Sequence, residues 1–177
     1  MTFLPGSPRA VVRHVEVRAD ASAVMAWLTD SDRREADWLD RVQELPRLVE
    51  YRTAHLPTGG MRFEWTALQG DVEVRQEIED VAMGQRTIDR ILRGQATRGR
   101  ARTRWLVKER ITVEFQGDAT QVTARALGRP VGKSLARHLL GINETATARA
   151  LTAQATQWTD FVVASVTGHF GQADGIC

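Results

Sequence analysis

The chain reads as α+β: a strand and two short helices, then a run of alternating strands, then one long apolar-striped helix. Three observations predict this. Residues from Leu48 to about Ala126 repeat with period two; two helical patterns precede that run; and a stripe of about thirty-five residues follows it with helical spacing. The 177 residues, 42% of them hydrophobic, suffice for one domain with a sizeable core, and one domain over 1–177 is expected, with 1–9 and 170–177 as tails.

Val11 to Val17 alternates and forms the first strand. Asp20 or Ser22 can cap a helix through Val24, Met25, Trp27 and Leu28, because its side-chain oxygen accepts an unpaired amide of the first turn. A second helix, roughly Ser31 to Val42, carries Trp38 and Leu39 and stops at Pro46. Val49, Tyr51 and Thr53 then share one strand face. After the Pro57-Thr58-Gly59-Gly60 turn, Met61, Phe63, Trp65 and Ala67 oppose Arg62, Glu64 and Thr66. Val72, Val74, Gln76 and Ile78 oppose Glu73, Arg75, Glu77 and Glu79, and another strand runs from about Arg86 to Leu92. Trp105, Val107, Glu109, Ile111, Val113 and Phe115 mark a long strand, turned at Gly117-Asp118 into a last one around Val122, Ala124 and Ala126. Gly128 to Gly132 reads as a loop. Beyond it Leu135, Leu139, Ile142, Ala146, Ala150, Ala153, Gln157 and Phe161 line one helix face, with Leu151, Trp158, Val162 and Val166 beside it; Gly141 is a weak point, and Asn143 can cap a new helix there.

Composition excludes several function classes. No apolar run is long enough to span a bilayer, and Pro5, Gly6 and Pro8 interrupt the start where a signal peptide needs apolar continuity, so a cytoplasmic protein is expected. The single cysteine, Cys177, allows no internal disulfide or thiolate cluster. His14, His55, His138 and His169 lack metal-ligand spacing, and no nucleotide loop or nucleophile–base motif is present, so neither metal nor cofactor is expected. Net charge is +2, but nine cations lie between Arg86 and Arg110 against Asp89 and Glu109. This 86–110 segment reads as a solvated hairpin, as a dock for an acidic partner such as an acyl carrier protein, or as a nucleic-acid or membrane contact. Sparse aromatic interleaving disfavours single-stranded nucleic acid.

The element order, the opening Val15-Glu16-Val17-Arg18-Ala19-Asp20-Ala21-Ser22-Ala23-Val24-Met25-Ala26-Trp27-Leu28-Thr29-Asp30, and the ending Thr120 to Pro130 before the long helix resemble the START and birch-pollen-allergen helix-grip superfamily, nearest its polyketide cyclase/dehydrase and lipid-transport branch. The resemblance implies a seven-stranded antiparallel sheet wrapped around the C-terminal helix, an apolar cavity between them, and a polyketide-like or lipid-like ligand, with cyclisation, aromatisation or dehydration in some members. That superfamily has no universal catalytic motif to transfer.

On the inward-reading faces the catalytic candidates are Arg90, Glu109 and Tyr51. A buried charge needs a partner, and Arg90 and Glu109 can serve each other, unless a one-residue slip turns both to solvent. Arg90 would polarise a ligand carbonyl, Glu109 would orient it or act as base, and Tyr51 would donate a hydrogen bond. Phe63, Trp65, Gln76, Trp105, Ile142, Asn143, Ala146 and Trp158 are the candidate ligand contacts, although the tryptophans are most simply core, with Trp65 and Trp158 alternatively a cavity wall. A non-catalytic binding or transport protein is the alternative, and it needs only the cavity.

Overall fold

The computed structural model describes residues 10–43, 47–57, 59–131 and 144–171. Strand β1 (Val11–Val17) leads into α1 (Ala21–Thr29) and α2 (Ser31–Gln43). Six strands follow: β2 (Leu48–His55), β3 (Met61–Gln69), β4 (Val72–Met83), β5 (Thr87–Arg98), β6 (Ala101–Gln116) and β7 (Ala119–Val131). Helix α3 (Glu144–Phe170) closes the chain. The strands form one antiparallel sheet in the order β1-β7-β6-β5-β4-β3-β2, so every neighbour but the β1–β7 pair is a sequence hairpin. The expected architecture is therefore present.

One face of the sheet is covered by α3, which packs mainly on β7 and β1. Alternation places Phe63 and Trp65, Ile78, Leu92, Val107 and Ala126 on that inner face, where they meet Ala155 and Trp158 of the helix. A second cluster joins Val17, Ile111, Val113 and Val122 to Val162 and Val166, with Val24, Met25 and Leu28 of α1 closing it.

Local details differ from the sequence reading. Gly128 to Val131 is strand, not loop, because β7 stays paired with β6 as far as Val131 opposite Arg104. Strand β5 runs on to Arg98 and β6 begins at Ala101, so the Arg-, Gln- and Thr-rich stretch hidden from a hydrophobicity pattern is held by the ladder. The buried helix stripe is Leu151, Ala155, Trp158, Val162 and Val166, while Ala150, Ala153 and Gln157 are exposed; large side chains chose the face over small ones. Asp20 occupies the N-cap position of α1 without a side-chain capping bond, its carbonyl accepting from Val24 N at 3.0 Å. On α2, Asp30 Oδ1 accepts from the Arg33 amide at 3.0 Å. Gly141, Asn143 and the rest of 132–143 lie outside the described residues, as do 1–9 and 172–177.

Candidate functional site

Three inner-face rows cross β4, β5 and β6 in succession. Asp80, Arg90 and Glu109 are cross-strand neighbours; two residues along each strand come Ile78, Leu92 and Val107; two further come Gln76, Gly94 and Trp105. A strand advances about 3.3 Å per residue, so the first and third rows lie about 13 Å apart.

The first row is ionic and buried. Arg90 Nε donates to Asp80 Oδ1 at 3.0 Å, and its Nη1 donates to Glu109 Oε2 at 3.2 Å. From α2, Arg34 pairs with Asp80 Oδ2, which also accepts from the Met61 amide at 3.1 Å. The remaining Arg34 donors reach the Asp30 and Thr29 carbonyls, both at 3.2 Å. The Arg90 guanidinium lies 5.3 Å from the Trp38 ring centre. Arg34, Asp80, Arg90 and Glu109 are each at most 6% exposed. Burial pushes the Asp80 carboxyl up, but Arg90, Arg34 and the Met61 amide together outweigh it and hold the group below the ordinary carboxylate range. Burial likewise lowers Arg90, and Asp80 and Glu109 reverse the sign. Arg34 is left lowered by its burial, with Asp80 opposing. The row amounts to two cations and two carboxylates held together, and the space beside it, among Trp38, Arg90, Phe161 and Ser165, is about 20 Å³.

The third row is neutral and borders a hollow of about 360 Å³ between sheet and helix. Val74, Gln76, Ala96, Thr103 and Trp105 form its sheet side, and Ala150, Leu151 and Gln154 of α3 face them. Gly94 has a packing reason to be glycine: a Cβ there would lie 2.0 Å from Cε2 of Trp105, whose indole rests on the bare backbone.

The structure thus brings Arg90 and Glu109 together inside the protein, but not with Tyr51. That residue is 45% exposed on edge strand β2, its ring stacked 6.0 Å from Phe63. Phe63, Trp65 and Trp158 are packed in the core, with ring centres 5.7 Å apart for the first two and 6.3 Å for the second two, and they do not line the 360 Å³ hollow. Gln76 and Trp105 do line it. Ile142, Asn143 and the Ala146 side chain lie outside the described residues. Sequence reasoning missed Asp80, which continues the Val74-Gln76-Ile78 alternation, and Arg34, one helical turn before Trp38; both signals were present.

The sheet's opposite face carries the basic strands. Arg93 pairs with Glu77 and Glu79, Arg98 with Asp71, and Arg110 with Asp89, so carboxylates from β4, the turn before it and β5 engage these three of the nine cations of the 86–110 segment. Two hollows of about 400 and 370 Å³ lie against that face, walled largely by charged side chains such as Arg110 and Arg125, or Arg93 and Arg129. Among the described residues no helix is long and apolar enough to cross a membrane, and no cluster of metal-binding side chains occurs.

The fold is shared with solved structures. The chain is similar to the ZhuI aromatase/cyclase from a Streptomyces species at 12% identity and a TM-score of 0.52, over 89% of this chain and 90% of that one. It is similar to Ara h 8.0201 at 9% identity and 0.52, over 91% and 99%. This is the helix-grip fold. A third helix-grip structure, the di-domain ARO/CYC StfQ from the steffimycin biosynthetic pathway, matches at 11% identity and 0.53, over 92% of this chain and 50% of StfQ. At such identities the likeness is one of fold. No family model and no curated protein matches the chain.

Proposed function

We propose that this helix-grip protein binds an apolar small molecule, polyketide-like or lipid-like, in the hollow between α3 and the β4–β6 strands. The observation that carries the reading is the hollow's make-up: aliphatic walls from both layers, a few neutral polar groups, the exposed Arg104 at its edge, and a volume of about 360 Å³ within the range of small-molecule sites. Two of the similar structures are named as aromatase/cyclases, which agrees with a ligand of this class. Binding is preferred to cyclisation, aromatisation or dehydration because the Arg90 cation is already engaged by Asp80 and Glu109 and Tyr51 stands apart from both. Catalysis through Arg90 would require α2, and Arg34 with it, to lift from the sheet. A docked acyl carrier protein at 86–110 is not part of the proposal, since carboxylates of this chain already pair with Arg93, Arg98 and Arg110.

The test is titration with the neutral apolar fluorophore N-phenyl-1-naphthylamine. Saturable binding is expected, weakened at least about tenfold by Ala96→Trp, which places an indole in the hollow. Absence of saturable binding, or full binding by a folded Ala96→Trp variant, would overturn the reading. Extraction of the protein purified from its own host, analysed by mass spectrometry, would then name the natural occupant.

A further inference from the structure

Trp105 carries a hydrogen-bonding capacity that the fold leaves unused. Its Nε1 is buried and has no hydrogen-bond partner among the described residues. Leaving such a donor unmatched costs roughly 1–3 kcal/mol, and native structures rarely tolerate it without a reason. The indole cannot simply be core filler, because Trp105 as a whole is only half-buried and forms part of the hollow's wall. Gly94 beneath it has no side chain that could take the proton, and Gln76 lies across from Gly94 on β4. A small tilt of the ring away from Gly94 would present Nε1 to whatever occupies the hollow.

We infer that Trp105 is the specificity-determining residue of this hollow and that its occupant is an uncharged apolar molecule bearing an acceptor oxygen, a ketone or its like. An indole N–H donates and cannot accept, so its partner must be an acceptor. The other uncharged polar wall groups, Gln69, Gln76, Thr103 and Gln154, are neutral amides and a hydroxyl, and among the described residues no carboxylate lines the wall. The charged wall residue, Arg104, is exposed. A site that offers an otherwise unpaired buried donor discriminates against analogues that lack the oxygen, because with them the donor stays unmatched. This inference rests on the binding reading above and adds the chemistry of the ligand to it.

The experiment compares α-tetralone with tetralin, the same skeleton with and without a carbonyl, by displacement of N-phenyl-1-naphthylamine from the wild-type protein and from Trp105→Phe. The wild type is expected to hold tetralone at least about tenfold more tightly than tetralin, and Trp105→Phe to reduce that ratio to within about twofold, whatever the change in wall area does to the affinity of both compounds alike. Equal binding of the two compounds by the wild type, or a preference undiminished in Trp105→Phe, overturns the inference while the binding reading survives. Displacement by neither compound overturns the ligand class assigned here, and failure of the fluorophore itself to bind overturns both readings. Tighter binding of tetralin-2-carboxylate than of tetralone would refute the uncharged class. Should Trp105→Phe not fold, the wild-type protein still decides: one indole N–H proton resonance should move downfield with tetralone and not with tetralin, and no movement with either refutes the role of Trp105.

Discussion

The Asp80–Arg90–Glu109 row and the Gln76–Gly94–Trp105 row occupy the same three strands and the same face, four residues apart, and use polar groups in opposite ways. In the first, each cation meets a carboxylate, Arg34 closes the set from α2, and only about 20 Å³ stays open beside it. In the second, a glycine stands where a side chain would fill the space, an indole donor has no partner among the described residues, and about 360 Å³ stays open. Burying charge obliges a structure to complete the charge set, because an uncompensated ion costs several kcal/mol; a neutral donor costs little enough to be held in reserve for a ligand. One end of the sheet face is committed to holding α2, and the other is available.

The largest expected effect falls on the ionic row. Asp80→Asn leaves Arg34 and Arg90 buried with one carboxylate between them, and should cost about 3–5 kcal/mol in urea denaturation. The double change Arg34→Met with Asp80→Leu should cost less than Asp80→Asn alone, since it removes a cation together with its partner. A cost below about 1 kcal/mol for Asp80→Asn would mean that the row does not hold α2.

Gly94→Ala tests the other row. A methyl 2.0 Å from Cε2 must push the Trp105 ring into the hollow, so we expect about tenfold weaker binding of the apolar fluorophore and about 1–3 kcal/mol of overpacking. Unchanged affinity would show that the ring does not form the hollow's wall.

Acid should separate the rows more gently. Asp80 titrates lower in the folded protein than in the unfolded chain, so its contribution is complete above the unfolded value of about 3.9 and is lost as pH falls through the folded one. Denaturation midpoints should therefore drop more steeply below about pH 4 in the wild type than in Asp80→Asn. With no carboxylate, histidine or lysine among the described residues of the hollow's walls, fluorophore binding should stay flat between about pH 5 and pH 8. Tyr51→Phe should do least: for a side chain this exposed we expect under about 0.5 kcal/mol and no change in binding, and a larger loss would bring Tyr51 back into the site.

Much of the fold was legible because period-two alternation reports a half-buried sheet wherever the inner residues are large, as in Met61 to Ala67 or Trp105 to Phe115. It failed where side chains are small or polar on both faces. The Gln95–Arg104 stretch and Gly128–Val131 carry no apolar contrast, yet the ladder extends β5, β6 and β7 through them. On α3 the predicted stripe was centred on Ala150, Ala153 and Gln157, whereas burial followed its flank, Leu151, Trp158, Val162 and Val166. For the site, the apolar neighbours at i±2 made Arg90 and Glu109 candidates to face inward and pair, but a one-residue slip would have turned both to solvent, and the register decided it. Their engagement by Asp80 and Arg34 could not be read, because those partners come from β4 and from a helix 46 residues before Asp80.

The sequence by itself determined the element order and the antiparallel sheet with one covered face, since both are set by local periodicity and by the cost of exposing apolar surface. Only the tertiary structure decided that the buried charges complete one another beneath α2 and that the opening lies two rows away, over Gly94. Register between strands and the seat of a helix fix which side chains meet, and a glycine reveals whether it marks a turn or a cavity floor only when the residue packed on it is known.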